Sequence, residues 1–146
     1  MKNLDLIAAK AAQEIVANTQ TYTLTEKGKE VEKTIEGGEV DNLATKALGV
    51  LQENGVYAVQ LYLYSRTGEA ERSIAKQMRE KLLALFREFN LPDLENTKAE
   101  VALAFLTDHV CANFDTLLIV KQLWEQTLIY TRYGAKAHSP AEKVKP

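Results

Sequence analysis

Along this chain apolar residues recur at steps of three and four, the spacing that lines one side of an α-helix. Near the N-terminus Leu4, Ile7, Ala8, Ala11 and Ile15 follow that rhythm, with Asn3 placed to cap the first turn. After the glycine pair Gly37-Gly38, Leu43, Ala44, Ala47, Leu48 and Leu51 form a second stripe. Asp41 stands as its expected N-cap, and Asn54-Gly55 as a left-handed stop. The clearest stripe is Ile74, Met78, Leu82, Leu85 and Phe89, which predicts a helix over Glu69 to Phe89, ended by Asn90-Leu91-Pro92. Thr97-x-x-Glu100 has the form of a capping box ahead of Val101, Leu103, Phe105 and Leu106. Leu117, Val120, Trp124 and Leu128 mark a long last helix reaching to about Gly134, its apolar side widened by Leu123 and Tyr130.

Two segments break the rhythm. Asn18 to Thr25 is polar and threonine-rich, and Val31 and Ile35 suggest a helical turn before the glycines, so a connection or an extension of the first helix is expected there. Val56 to Ser65 is apolar throughout and rich in Val and Tyr, which suits a buried strand as well as a buried helix. Since no partner strand with matching alternation is apparent, and a lone strand leaves its backbone unpaired, helix is preferred. The expected fold is therefore all-α: a single-domain bundle of about five to six helices over residues 1–137, followed by a disordered tail over 138–146.

Size and composition fit that picture. A chain of 146 residues, 46% hydrophobic and 26% charged, is long and apolar enough for one core and too short for two. A net charge of -2 gives no field that would draw nucleic acid to the whole molecule, so any such contact must be a local patch. The lone Cys111 excludes an intrachain disulfide, and Asp5 and Lys10 interrupt the short apolar start, which together favour a reducing cytoplasm. The apolar run Val56 to Tyr64 falls well short of the roughly 20 residues that cross a membrane, so no membrane partner is expected.

Candidate chemistry is sparse. His109, Cys111 and His138 are too few for a zinc site, and His109 and Cys111, two apart, point in different directions. Neither Glu36-Gly37-Gly38-Glu39 nor Glu26-Lys27-Gly28 resembles a phosphate-binding glycine loop. No catalytic residue, metal or cofactor is expected. Basic residues carry more information: Arg72, Lys76 and Arg79 fall at i, i+4 and i+7 on one helix face, and Arg132 and Lys136 form a second pair. Spacing alone favours a solvated face over phosphate binding. Tyr57, Tyr62 and Tyr64 cluster with Arg66, a set able to stack on unpaired bases, fit a protein partner or pack in the core.

Three stretches together resemble a known family. Leu43-Ala44-Thr45-Lys46-Ala47-Leu48 leads through Leu51 and Asn54-Gly55 to Ala58-Val59-Gln60-Leu61-Tyr62-Leu63-Tyr64-Ser65-Arg66. With Ala9-Lys10-Ala11 and the closing Tyr130-Thr131-Arg132-Tyr133-Gly134-Ala135-Lys136-Ala137, this is similar to the small helical subunit of the type III-B CRISPR effector, the Cmr complex. The resemblance implies a helical third segment and a non-catalytic role in antiviral defence. Copies of the chain would stack beside other subunits of the effector complex and line the groove where guide RNA pairs with target RNA. It raises Lys10, Lys46, Arg66, Arg72, Lys76, Arg79, Arg132 and Lys136 to candidate RNA contacts, because a duplex held by shape calls for backbone charges. The alternative from another class is a helical adaptor that binds protein alone. A helix-turn-helix regulator around Asn54-Gly55 is weaker, the following helix being too apolar for a DNA groove.

Overall fold

The computed structural model describes residues 3–138. Helix α1 (Leu4–Ala17) starts where its cap predicts, with Asn3 Oδ1 accepting the Leu6 N–H at 3.0 Å. Helix α2 (Gly37–Asn54) begins five residues earlier than the expected Asp41 cap would place it. Glu36 is its N-cap, and the Glu39 carboxylate reaches back to accept the Glu36 N–H at 3.0 Å. The glycine pair thus opens the helix instead of breaking the chain, and Asp41 lies inside it. At the far end Gly55, at φ 100 and ψ -174, turns the chain directly into α3 (Val56–Tyr64). That backbone conformation is open almost only to glycine, so the Asn54-Gly55 stop has its expected physical basis.

The ambiguous third segment is a helix, with Val56, Val59, Gln60 and Leu63 buried. Helix α4 (Glu69–Ala84) tightens into a 3-10 turn at Leu85–Glu88 before the Phe89 to Pro92 exit. Helix α5 (Ala99–Phe105) has Lys98 at its N-cap position with no side-chain cap, and no Thr97/Glu100 box forms; Thr97 instead turns to α4 and donates its hydroxyl to Glu80 Oε2 at 3.5 Å. The chain then widens into a π turn over Leu106–Val110. Helix α6 (Phe114–Ala137) runs a turn past Gly134 and ends at its C-cap, His138. Residues 139–146, where most of the expected tail falls, lie outside the described residues.

The segment between α1 and α2 departs most from expectation. It is neither a loose connection nor a helical extension but an antiparallel β-hairpin, β1 (Thr21–Glu26) and β2 (Lys29–Thr34), in register from Thr21↔Thr34 to Glu26↔Lys29. The two-residue turn Lys27-Gly28 has φ of 52 and 79, the positive pair that a type I′ hairpin requires. One face carries the half-buried Tyr22, Leu24, Val31 and Lys33, while most intervening residues are exposed. That period of two, and threonine's preference for strands, were the signals in the sequence. A two-stranded ribbon is marginal by itself, so its order depends on Tyr22 packing against the helical core and on β1 lying beside α4.

Helix α6 lies along both α1 and α2, and α3 and α4 close the other side. Trp124 and Leu128 are fully enclosed, and Phe86 stacks between Trp124 and Phe105 at centroid distances of 5.6 and 5.2 Å. Where α1 crosses α6, a Cβ at Gly134 would stand 3.1 Å from Val16 Cγ2. The glycine there serves close packing, not helix termination.

Buried polar groups are handled unevenly. Thr127 and Thr131 donate to carbonyls one turn back, each at 2.8 Å. Gln60, wholly buried on α3, has no protein partner for either amide atom. Such a group costs about 1–3 kcal/mol of desolvation, and methionine fills a similar space without polar atoms. Gln60→Met is therefore expected to raise unfolding stability by about 1 kcal/mol in a denaturant titration; a loss of stability would mean that the amide is satisfied in solution.

Candidate nucleic-acid interface

Four of the eight candidate basic residues come together. Arg66, at the end of α3, and Arg72, Lys76 and Arg79, on one face of α4, line a groove of about 490 Å³ whose opposite wall is β1. Glu69 is the single carboxylate in that lining, so four cations face one anion. The i, i+4, i+7 spacing sets the α4 cations along about 10 Å of helix axis, at 1.5 Å per residue. Tyr22, Thr23 and Leu24 complete the groove from the hairpin, with Ser73 and Tyr64 at its floor. Sequence reasoning passed over the hairpin residues because it gave their segment no strand structure.

The four cations differ in freedom. Arg66 lies over the Tyr62 ring, its Cζ 3.9 Å from the centroid, donates Nε to the Tyr62 carbonyl at 3.1 Å and pairs with Glu71 at 3.6 Å. Arg79 lies over Tyr64 at 4.4 Å, and its buried Nε has no hydrogen-bond partner. These contacts place two guanidinium groups over aromatic rings. By contrast Arg72 and Lys76 are exposed, and no carboxylate of the described residues is in ion-pair range of either. The groove thus combines two positioned arginines with two exposed cations outside ion-pair range of the described carboxylates.

Tyr64 anchors this arrangement from below. Its hydroxyl donates to the Thr97 carbonyl at 2.5 Å, tying α3 to the segment that precedes α5. Burial pushes the Tyr64 hydroxyl up from its usual pKa, while the Arg79 charge pulls it partly back. The group therefore stays a donor at neutral pH. Two of the three clustered tyrosines are packed under arginines, and Tyr57 is 37% exposed on the outer face of α3.

The other four candidates lie elsewhere. Lys46 lines a separate cleft of about 180 Å³ with Glu39 and Glu71. Lys10 is exposed on α1. Arg132 pairs with Asp41 at 3.3 Å, and Lys136 approaches the same carboxylate at 4.0 Å. Asp41, expected as a cap, instead bridges α2 to α6 and engages both members of the second basic pair. Among the described residues no cluster of three His, Cys, Asp or Glu side chains is placed to hold a metal ion. Exposed Cys111 has its thiol pushed up by partial desolvation, away from the thiolate form. His109 packs on the Phe105 ring at 4.9 Å. No helix of the described residues is long and apolar enough to cross a membrane.

Two substitutions check this geometry. Asp41→Ala leaves the half-buried Arg132 without its carboxylate and is expected to cost about 1–2 kcal/mol of stability, with the loss shrinking at high salt in thermal unfolding. Tyr64→Phe removes the hydroxyl that satisfies the Thr97 carbonyl and is expected to cost about 1 kcal/mol at neutral pH. Because the folded tyrosine has the raised pKa, that contribution is complete below the unfolded value of 10.0 and declines as pH rises through the folded value. A wild-type minus Tyr64→Phe stability difference that grows above pH 10.0 would contradict the assignment.

No known protein family, curated protein or solved structure matches this chain.

Proposed function

We propose that this chain is a non-catalytic, RNA-contacting small subunit of a type III CRISPR ribonucleoprotein, the class that its helix motifs resemble. The observation that supports this reading is the convergence of Arg66, Arg72, Lys76 and Arg79 on one groove in a protein whose net charge is -2. A local cationic groove on a slightly acidic molecule binds a polyanion at one place and in one orientation. Phosphate contacts of this kind fix position without reading sequence, which suits a subunit that serves any guide. RNA cleavage in such an assembly belongs to other subunits, and further copies of this chain and the backbone subunits are its protein neighbours.

The adaptor alternative keeps one specific observation. Tyr57 and Leu61, four residues apart on α3, are 37% and 48% exposed and form an apolar strip that a protein partner could cover. The two readings separate on isolation from the host: the effector reading expects a large assembly with a high ratio of absorbance at 260 to 280 nm, and the adaptor reading expects no RNA.

The groove itself is tested by reversing Arg72, Lys76 and Arg79 to glutamate. In the assembled complex this triple variant is expected to weaken target-RNA binding by at least about tenfold at physiological salt. It should also flatten the dependence of log K on log salt by about 2, since each lost phosphate contact removes about 0.7 to 0.9 from that slope. Unchanged affinity and slope would remove the groove from RNA binding.

A further inference from the structure

The same groove has a feature that a duplex-binding surface does not need, a wall. Helix α4 supplies the cations on one side, while β1 lines the other and presents Tyr22 and Leu24 on one face. A-form duplex is met across its wide, shallow minor groove and along its phosphate ridges, so the protein surface that fits it is broad and open. A cleft of about 490 Å³ with two walls is of the size that encloses a small ligand or a short piece of one strand. Single-stranded nucleic acid is held by a different combination, a cationic track beside aromatic or apolar surface on which bases rest. Both parts are present: Arg72 and Lys76 are exposed along the track, and Tyr22 and Leu24 supply the apolar side.

We infer that the groove between the β-hairpin and α4 is a clamp for single-stranded RNA, with phosphates on Arg72 and Lys76 and a base lying against the hairpin at Tyr22. This rests on the RNA-binding reading above and narrows it to an unpaired segment of strand. Arg66 and Arg79, placed over Tyr62 and Tyr64, are positioned along the groove in advance of binding. The hairpin is the adjustable part. As a two-stranded ribbon whose partly buried side chains lie on one face, it is stabilised by whatever fills the space beneath it.

The test uses the full chain, a labelled oligouridylate of about 12 nucleotides and an RNA duplex of the same length, the single strand spanning the usual site sizes for such grooves. The clamp predicts that the single strand binds at least roughly tenfold more tightly than the duplex at equal salt, where phosphate charge alone would favour the duplex. Leu24→Glu, a half-buried position on the same hairpin face as Tyr22, is expected to lower single-strand affinity about tenfold and leave duplex binding within about twofold. Tyr22→Ala should lower it by a similar factor, with circular dichroism checking that the helices persist. Amides of residues 21–34 should exchange more slowly with the single strand bound and not with the duplex.

Equal or tighter duplex binding, or no effect of Leu24→Glu, overturns the clamp; if Arg72→Glu and Lys76→Glu still weaken either RNA, the broader RNA-contacting reading stands. If neither substitution affects any RNA, both fall together. Displacement of the oligouridylate by oligoglutamate at equal charge concentration also overturns the clamp, since it would mark a surface that any polyanion occupies.

Discussion

Helix α6 has an apolar surface too broad for one neighbour to cover, and the rest of the fold follows from burying it. Val120, Leu123, Trp124, Leu128 and Ala135 are all enclosed, with Thr127 and Thr131 buried among them and satisfied by their own helix. Helices α1 and α2 must therefore flank α6, and the Val16–Gly134 approach shows how closely α1 does so. Each large apolar side chain removed from water here stabilises the fold by about 1.5–3 kcal/mol, more than an exposed or half-exposed ion pair supplies. Packing thus decides where α2 lies, and the Asp41–Arg132 pair adjusts a placement already made.

That hierarchy also sorts the basic residues. Arg132 and Lys136 lie where α6 meets α2, so their charge is answered by Asp41 within the molecule. Helix α4 presents Arg72 and Lys76 on the side away from its buried Ile74, Met78 and Leu82, where no carboxylate of the described residues comes within ion-pair range. Rows that look alike in sequence thus differ in availability. Tyr62 and Tyr64 add a second distinction by placing Arg66 and Arg79 over their rings, while Arg72 and Lys76 stay exposed.

Apart from the uniformly apolar α3, the helices were legible because each carries a stripe of fixed period, and Asn3 and Gly55 act through purely local geometry. Caps that depend on competition between neighbouring candidates were not. Asp41 and Thr97 are both good capping residues by type, but their side chains turn to other elements, Asp41 to Arg132 and Thr97 to Glu80. Glu36 caps α2 instead, and the N-cap position of α5 falls to Lys98, whose side chain makes no cap. The hairpin was missed because its apolar positions are few; Tyr22, Leu24 and Val31 mean little until α4 and the core stand beside them.

Sequence alone therefore determined the helical character of the chain, the positions of its main stripes, the helical break at Gly55 and the pool of cations from which a binding face could be drawn. These are properties of single residues or of spacing along one element, and they need no distant partner. Tertiary structure decided the hairpin, the engagement of Arg132 and Lys136, and the gathering of Arg66 with Arg72, Lys76 and Arg79 opposite β1. Each of these joins residues from separate elements, whose meeting is fixed by how α6 is buried and not by any local pattern.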